Sequence, residues 1–491
     1  MSSTAKRVAC WNIAAINKNP FEYWVTNPDP SYDLLLSGVQ GFIDDPVCDF
    51  PIRAIFTDKM FSELQTELIV LGFSGVDRLE SQWKNDYSQR MAVGQFLKDK
   101  QIGLKRLVSM PDRITNTIQC DCYSSLKRPT AFNAYDGGTL NSIDAWWGKW
   151  KEFMFFTAVP ASAACLPGNA SSSDRILVCH LLEKIPRKKY PAITEEEQSI
   201  SVVLQLLCLA ILDAIYIFIL NSIDPTWEHV RRQLCTALIS NKAASVCAIL
   251  ARSHPDRDVI FIQEAANSFS EFVQQAPPLG ETFAVLSPAA VETARDQNSM
   301  ILVSRRSFRA DTCVDVTSLV IAALGRADGG RDMVAPGDLL AVTIEDRDGG
   351  RWLLASFHGD SGGQTTLPVI AAIDSVARAA FPDLRLLIGL DANSYWPDPD
   401  GVDEAAGIGA TAGRLFVGEL CAFLEGRGLR SVWGAAPDPA MWTTVAARTC
   451  LQAQLNKATP LASRGSMAQR HLKDWLIGYG SQVHFKFALV R

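Results

Sequence analysis

Asn12, Gln263, Glu264, His358, Asp391, Asn393 and Asp474 each stand at or beside the end of a short apolar run. An apolar run that finishes in a carboxylate, amide or imidazole delivers that group to the rim of a sheet. Several such runs can bring their ends together. Glu264 and Asp391 offer hard oxygen donors, which suit Mg²⁺ or Mn²⁺ better than zinc. Such an ion orients and polarises a phosphate and offsets the charge that develops in hydrolysis. Each residue also has an ordinary reading: a solvated strand end for Glu264, an Asx-type turn for Asp391 and Asn393, a surface or core histidine for His358. Their joint order along the chain is what points to chemistry. Asn298, just before SMILVS, and Arg448, in the polar stretch MWTTVAARTCLQAQLNK with Thr443, Thr444 and Asn456, are further candidates for a substrate groove.

The elements that must position these groups are short strands: one over Arg7–Asn12, then DVIFIQE (258–264), SMILVS (299–304), LLAVTIE (339–345), WLLASFH (352–358), RLLIGLD (385–391) and DWLIG from Asp474. Continuous apolar strands of this kind belong to sheets covered on at least one face. TTLPVIAAIDSVARAAF and RLFVGELCAFLEGRG carry helical spacing, and Glu228–Ser253 reads as one helix.

Residues from about 15 to 198 differ in character, being rich in aromatics and turns. Trp146, Trp147 and Trp150 have the spacing of a core-facing helix. KIPRKKYP reads as surface charge. Val202–Leu220 is apolar at every position except Gln205 and Asp213, and is long enough to cross a bilayer. A mid-span aspartate opposes insertion, and the acidic TEEEQ before it reads as a capped helix start. The expectation is a buried helix in a soluble core, with no stable membrane span.

W-N at the end of the first strand, then D-V-I-F-I-Q-E, S-F-H and G-L-D-A-N, resembles the endonuclease/exonuclease/phosphatase (DNase I-like) superfamily. The resemblance covers the first dozen residues and roughly 228–478. It implies an α/β (α+β) fold: a four-layer sandwich of two packed, mostly antiparallel sheets flanked by helices. It also implies Mg²⁺- or Mn²⁺-dependent hydrolysis of a phosphate ester by an activated water. By resemblance Glu264 binds the metal, and Asn12 helps bind metal and phosphate. His358 hydrogen-bonds a phosphate oxygen, Asp391 positions water or metal, Asn393 contacts the phosphate, and Asp474 supports the centre. A nucleic acid, a phospholipid or an inositol phosphate would each serve as substrate.

This predicts a catalytic domain made of residues 1–14 and 227–491, interrupted by a large helical insertion or cap at 15–226. The S-D-H motif that closes the family has no full counterpart; Ser481-Gln482-Val483-His484 is the nearest imitation. The expectation is therefore a C-terminus truncated or altered relative to the family. The alternative function is a catalytically impaired relative that binds a ligand or partner.

Composition bounds these readings. The 491 residues are 48% hydrophobic and 20% charged, which excludes a disordered chain. Gly 32 and Pro 24 exclude collagen-like and low-complexity classes. A net charge of −6 argues against a dedicated duplex-DNA coat. The 12 cysteines are scattered, as expected for reduced thiols, and the N-terminus lacks an uninterrupted apolar signal region. Both favour a cytoplasmic protein.

Overall fold

The computed structural model describes residues 5–120, 125–160, 175–289, 296–325, 333–397, 413–445, 447–459 and 469–480. The chain is a mixture of helices and strands and divides into two units. The first comprises 1–17, 240–446 and 465–491; the second comprises 18–239 and 447–464. The second unit thus runs past the expected boundary at 226 and takes in the segment containing Arg448.

In the first unit, the strands of the two larger sheets are β1 (Val8–Asn12), β2 (Val259–Ala265), β3 (Phe283–Leu286), β4 (Asn298–Ser304), β5 (Phe308–Asp315), β6 (Leu339–Asp346), β7 (Arg351–His358), β8 (Arg385–Asp391), β9 (Leu429–Ser431) and β10 (Asp474–Tyr479). One sheet has the order β1-β2-β4-β3 and the other β9-β10-β8-β7-β6-β5. The β1–β2 and β7–β8 pairs are parallel; the other pairs in these sheets are antiparallel. Period-two alternation explains where each side chain goes. Val259 and Phe261 of β2 join Leu340, Val342, Leu354 and Leu387 of the other sheet in one buried cluster. Ile260 and Ile262 face the opposite way, onto Val246, Leu250, Phe269 and Val273 of the helices Lys242–Ser253 and Phe269–Gln275. The second sheet has its own outer cluster, where Leu353, Leu386 and Ile388 meet Val369, Ile373 and Leu420 of the helices Thr366–Ala380 and Val417–Gly426.

Gly389 marks how closely the two sheets approach. A Cβ there would lie 2.2 Å from the Phe261 ring, so only glycine fits.

In the second unit, one core cluster gathers around the helix Ser201–Ile223. Its most apolar stretch is 89% buried inside the protein. Asp213, at its centre, is satisfied rather than stranded. It accepts from Arg128 Nε (2.8 Å), Thr130 Oγ1 (2.7 Å) and Trp150 Nε1 (3.0 Å). Burial pushes the Asp213 carboxyl up, and the Arg128 charge opposes it. Gln205 donates to the Glu183 and Ser201 carbonyls at 2.9 and 3.0 Å. Trp146, Trp147 and Trp150 are core residues of the same cluster. The TEEEQ acids cap a separate short helix, Glu195–Ser199, through a Thr194–Glu197 capping box.

The expected helix Glu228–Ser253 is two helices, Glu228–Cys235 and Lys242–Ser253, and the unit boundary falls between them. Among the described residues the cysteines are free thiols. The Ser481–His484 segment lies outside the described residues.

Candidate active site

The rim of the two sheets collects the polar strand ends. Asn12 ends β1, Glu264 stands near the end of β2, His358 ends β7, Asp391 ends β8 and Asp474 begins β10. Register sets these neighbours: His358 is opposite Asp391, and Asp391 is opposite Asp474.

Glu264 reaches this rim through a break in the strand. Gln263 continues the inward face of β2 and donates to Ser356 Oγ (3.0 Å) and the Gly389 carbonyl (3.3 Å). Strict alternation would then turn Glu264 outward. Instead the β2–β4 register slips between Ile262 and Ala265, and Glu264 takes φ 57°, the left-handed region. Such a conformation costs about 1–3 kcal/mol and is found where a bulge re-aims a side chain.

The resulting contacts cross between the sheets. Asn12 Nδ2 donates to Glu264 Oε1 and to Asp391 Oδ2, both at 2.8 Å. The Asn12 oxygen accepts from the Ala14 N–H at 2.7 Å. His358 Nε2 lies 3.2 Å from Glu264 Oε1. The Ala15 N–H donates to Glu264 Oε2 at 2.6 Å. The Asn12 N–H donates to Asp474 Oδ1 at 3.4 Å. Asp391 Oδ1 accepts from the Asn393 N–H at 2.8 Å; the Asx-type bond and a place in the cluster coexist in one carboxylate. Asn298 is buried on β4, paired with Ala265, and donates to the Ala265 carbonyl at 3.3 Å. Arg448 belongs to the second unit, where it pairs with Glu22 and lies 4.9 Å over the Tyr23 ring. Thr443 sits beside Asp474, its hydroxyl accepting from the Lys473 and Asp474 N–H groups at 3.0 Å each.

The electrostatics follow from burial and these partners. Burial would raise the Glu264 carboxyl. The His358 charge, the Ala15 N–H, the Asn12 amide and the Lys242 ammonium together hold it below its ordinary value. Asp474 is pushed up to about 7 by burial and by the negative charge of Asp391. Burial, with Asp474 beside it, also raises the Cys10 thiol. Cys10 therefore stays protonated and is no nucleophile.

Glu264, His358 and Asp391 offer ligand atoms that all lie within 4.8 Å of one another. Two donors on one Mg²⁺ can be at most about 4.2 Å apart, twice a bond of about 2.1 Å. The set spans slightly more than one such ion, and its two carboxylates are the hard oxygen donors that a divalent cation of this kind prefers.

Residues 49–232, within the second unit, match one family model, described as a domain of unknown function (DUF8234). No curated protein matches the chain. Similar solved structures include a humanized D. rerio TDP2, at 14% identity over 49% of this chain and 76% of that one, with TM-score 0.29. An endonuclease/exonuclease/phosphatase family protein from Bacteroides thetaiotaomicron matches at 12% identity over 49% and 75%, with TM-score 0.31. The endonuclease domain of TRAS1 matches at 16% identity over 49% and 80%, with TM-score 0.28.

Sequence reasoning passed over Lys242 and Lys473. Lys242 Nζ donates to the Ala14 and Ala15 carbonyls, which holds the backbone that in turn binds Asn12 and Glu264. Lys473 Nζ donates to Asn393 Oδ1 at 2.7 Å. Only the position of Lys473, next to Asp474, was available as a signal.

Proposed function

We propose that this protein is a divalent-metal-dependent phosphoester hydrolase. The observation that carries the reading is that Glu264 and Asp391, from different sheets, lie with His358 within reach of one shared ion. In this reading the first unit is a four-layer sandwich, and 18–239 is an insertion between its first strand and the rest. Glu264 and Asp391 hold Mg²⁺ or Mn²⁺, with Asn12 fixing the two carboxylates relative to each other. The bound cation supplies Lewis acidity to the phosphate and lowers the pKa of its water.

The chain's own residues do the rest. Asp474 lies opposite Asp391 in the strand register and accepts from the Asn12 N–H. Asp474, which holds no metal in this reading, takes the proton of the attacking water and returns it to the ester oxygen that leaves. His358 Nε2–H donates to a phosphate oxygen once a substrate displaces it from Glu264, and Asn298 supports the Glu264 bulge. The substrate is a phosphate ester: a nucleic acid, a phospholipid or an inositol phosphate. The buried state of Ser201–Ile223 supports a core helix rather than a membrane span.

Turnover of a model phosphodiester with Mg²⁺ or Mn²⁺ tests this. The expected result is turnover that chelation stops and Glu264→Ala abolishes. Metal binding without turnover on any phosphate ester would instead favour an impaired relative that only binds its ligand.

A further inference from the structure

Lys473 is a half-buried cation beside the Asp391–Asn393 turn. Its ammonium donates to Asn393 Oδ1 at 2.7 Å and faces Tyr395 Oη at 3.4 Å. It lies 4.7 Å from the centroid of the Tyr395 ring. Arg414 lies 4.6 Å from the same centroid, and the His471 ring centroid is 4.8 Å away. No carboxylate among the described residues lies within 4.0 Å of the Lys473 ammonium. An ammonium carries three hydrogens, so one remains for a ligand.

The backbone holds this group firmly. The Ala392 N–H donates to the Lys473 carbonyl at 2.8 Å, and the Lys473 N–H donates to Thr443 Oγ1 at 3.0 Å. Lys473 is thus tied directly to the Asp391–Asn393 turn. The Asn393 amide is meanwhile largely spent: its Nδ2 donates to the Gly359 carbonyl at 2.8 Å, and its oxygen takes the lysine. The neutral amide expected to meet the phosphate is engaged at both ends by the protein, and the group on its oxygen is a cation.

We propose that Lys473 is a phosphate-binding residue of this site, donating a charge-assisted hydrogen bond to a non-bridging oxygen of the substrate. The inference rests on the hydrolase reading and adds to it a cation that binds the anion without binding the metal. A cation so placed also offsets the charge gained by the phosphate oxygens as water adds.

The test compares Mn²⁺ binding and inorganic phosphate binding in the full chain, by calorimetry, for the parent, Lys473→Met and Lys473→Arg. Lys473→Met is expected to bind Mn²⁺ within about twofold of the parent and to lose phosphate affinity by about tenfold or more, the loss of one charge-assisted bond. Lys473→Arg keeps the charge and is expected to retain most of that affinity. Unchanged phosphate binding in Lys473→Met overturns the proposal. So does equal loss in both variants, which would mark a structural role. A parent chain that binds no Mn²⁺ overturns the hydrolase reading as well, and so separates the two failures.

Discussion

His358 Nε2 lies 3.2 Å from Glu264 Oε1, although the two residues sit on different sheets and are joined by no strand pairing. The contact depends on a bulge that turns Glu264 across its own strand and on two sheets packed closely enough to bring their rims together. The same two conditions bring Asn12 to both carboxylates. The site is therefore a product of inter-sheet packing as much as of its own residue types.

Removing the amide that joins the carboxylates should be felt most without metal. Asn12→Ala leaves Glu264 and Asp391 without their shared donor and is expected to cost about 1–3 kcal/mol in chelator-treated protein. Added Mn²⁺ should narrow the deficit, because a cation restores the missing positive partner. Urea denaturation with and without Mn²⁺ checks both parts; a deficit that widens with metal contradicts the assignment.

The Asp474 carboxyl gives the metal-free protein a pH dependence of definite sign. Its folded value, about 7, is above the ordinary 3.8. The stability it contributes is therefore fully present below about pH 4 and is lost as pH rises through about 7. Asp474→Asn removes this dependence. In chelator, the variant should be more stable than the parent at about pH 8 and should lose that advantage toward about pH 4. Melting temperatures across this range decide the matter.

Sheet packing can be tested at Gly389, where any Cβ meets the Phe261 ring at 2.2 Å. Gly389→Ala should destabilise by about 1–3 kcal/mol or more through overpacking and weaken Mn²⁺ binding by moving the β8 end. Gly426→Ala, at a helix end with open space around it, should stay within about 0.5 kcal/mol of the parent. Equal effects at the two positions would refute the close approach.

The second unit has its own test. Asp213→Ala leaves buried Arg128 with Asp112 as its remaining carboxylate and Thr130 and Trp150 without their acceptor and should cost about 3–5 kcal/mol, whereas the double change Arg128→Met with Asp213→Leu should cost less. Denaturation midpoints of the single and double variants distinguish a satisfied core pair from an incidental one.

What the chain revealed in advance follows the range of the forces involved. The strands ending in Asn12, His358 and Asp391 were legible because apolar runs with polar terminators are local signals. The strand Phe308–Asp315 was not, because it is an edge strand with half its residues exposed, so its sequence lacks an apolar run. Asp213 was visible as a polar break in an apolar helix, but its partner Arg128 is 85 residues away and no spacing rule links them. At the site, residue types were readable and aim was not. Periodicity turns Glu264 outward, and only the bulge with φ 57° reverses it. Lys473 was missed because nothing local distinguishes a lysine before Asp474 from a surface charge, and the Asn393 contact that gives it a role spans 80 residues.

The most direct measurement is Mn²⁺ binding to the metal-stripped full chain, read by electron paramagnetic resonance and repeated on Glu264→Ala and Asp391→Ala. One ion per chain is expected, with each variant weakening it by about a hundredfold or more, the scale of losing one carboxylate from a small ligand set. A parent chain that leaves Mn²⁺ free at millimolar concentration, or variants that bind as the parent does, would contradict it.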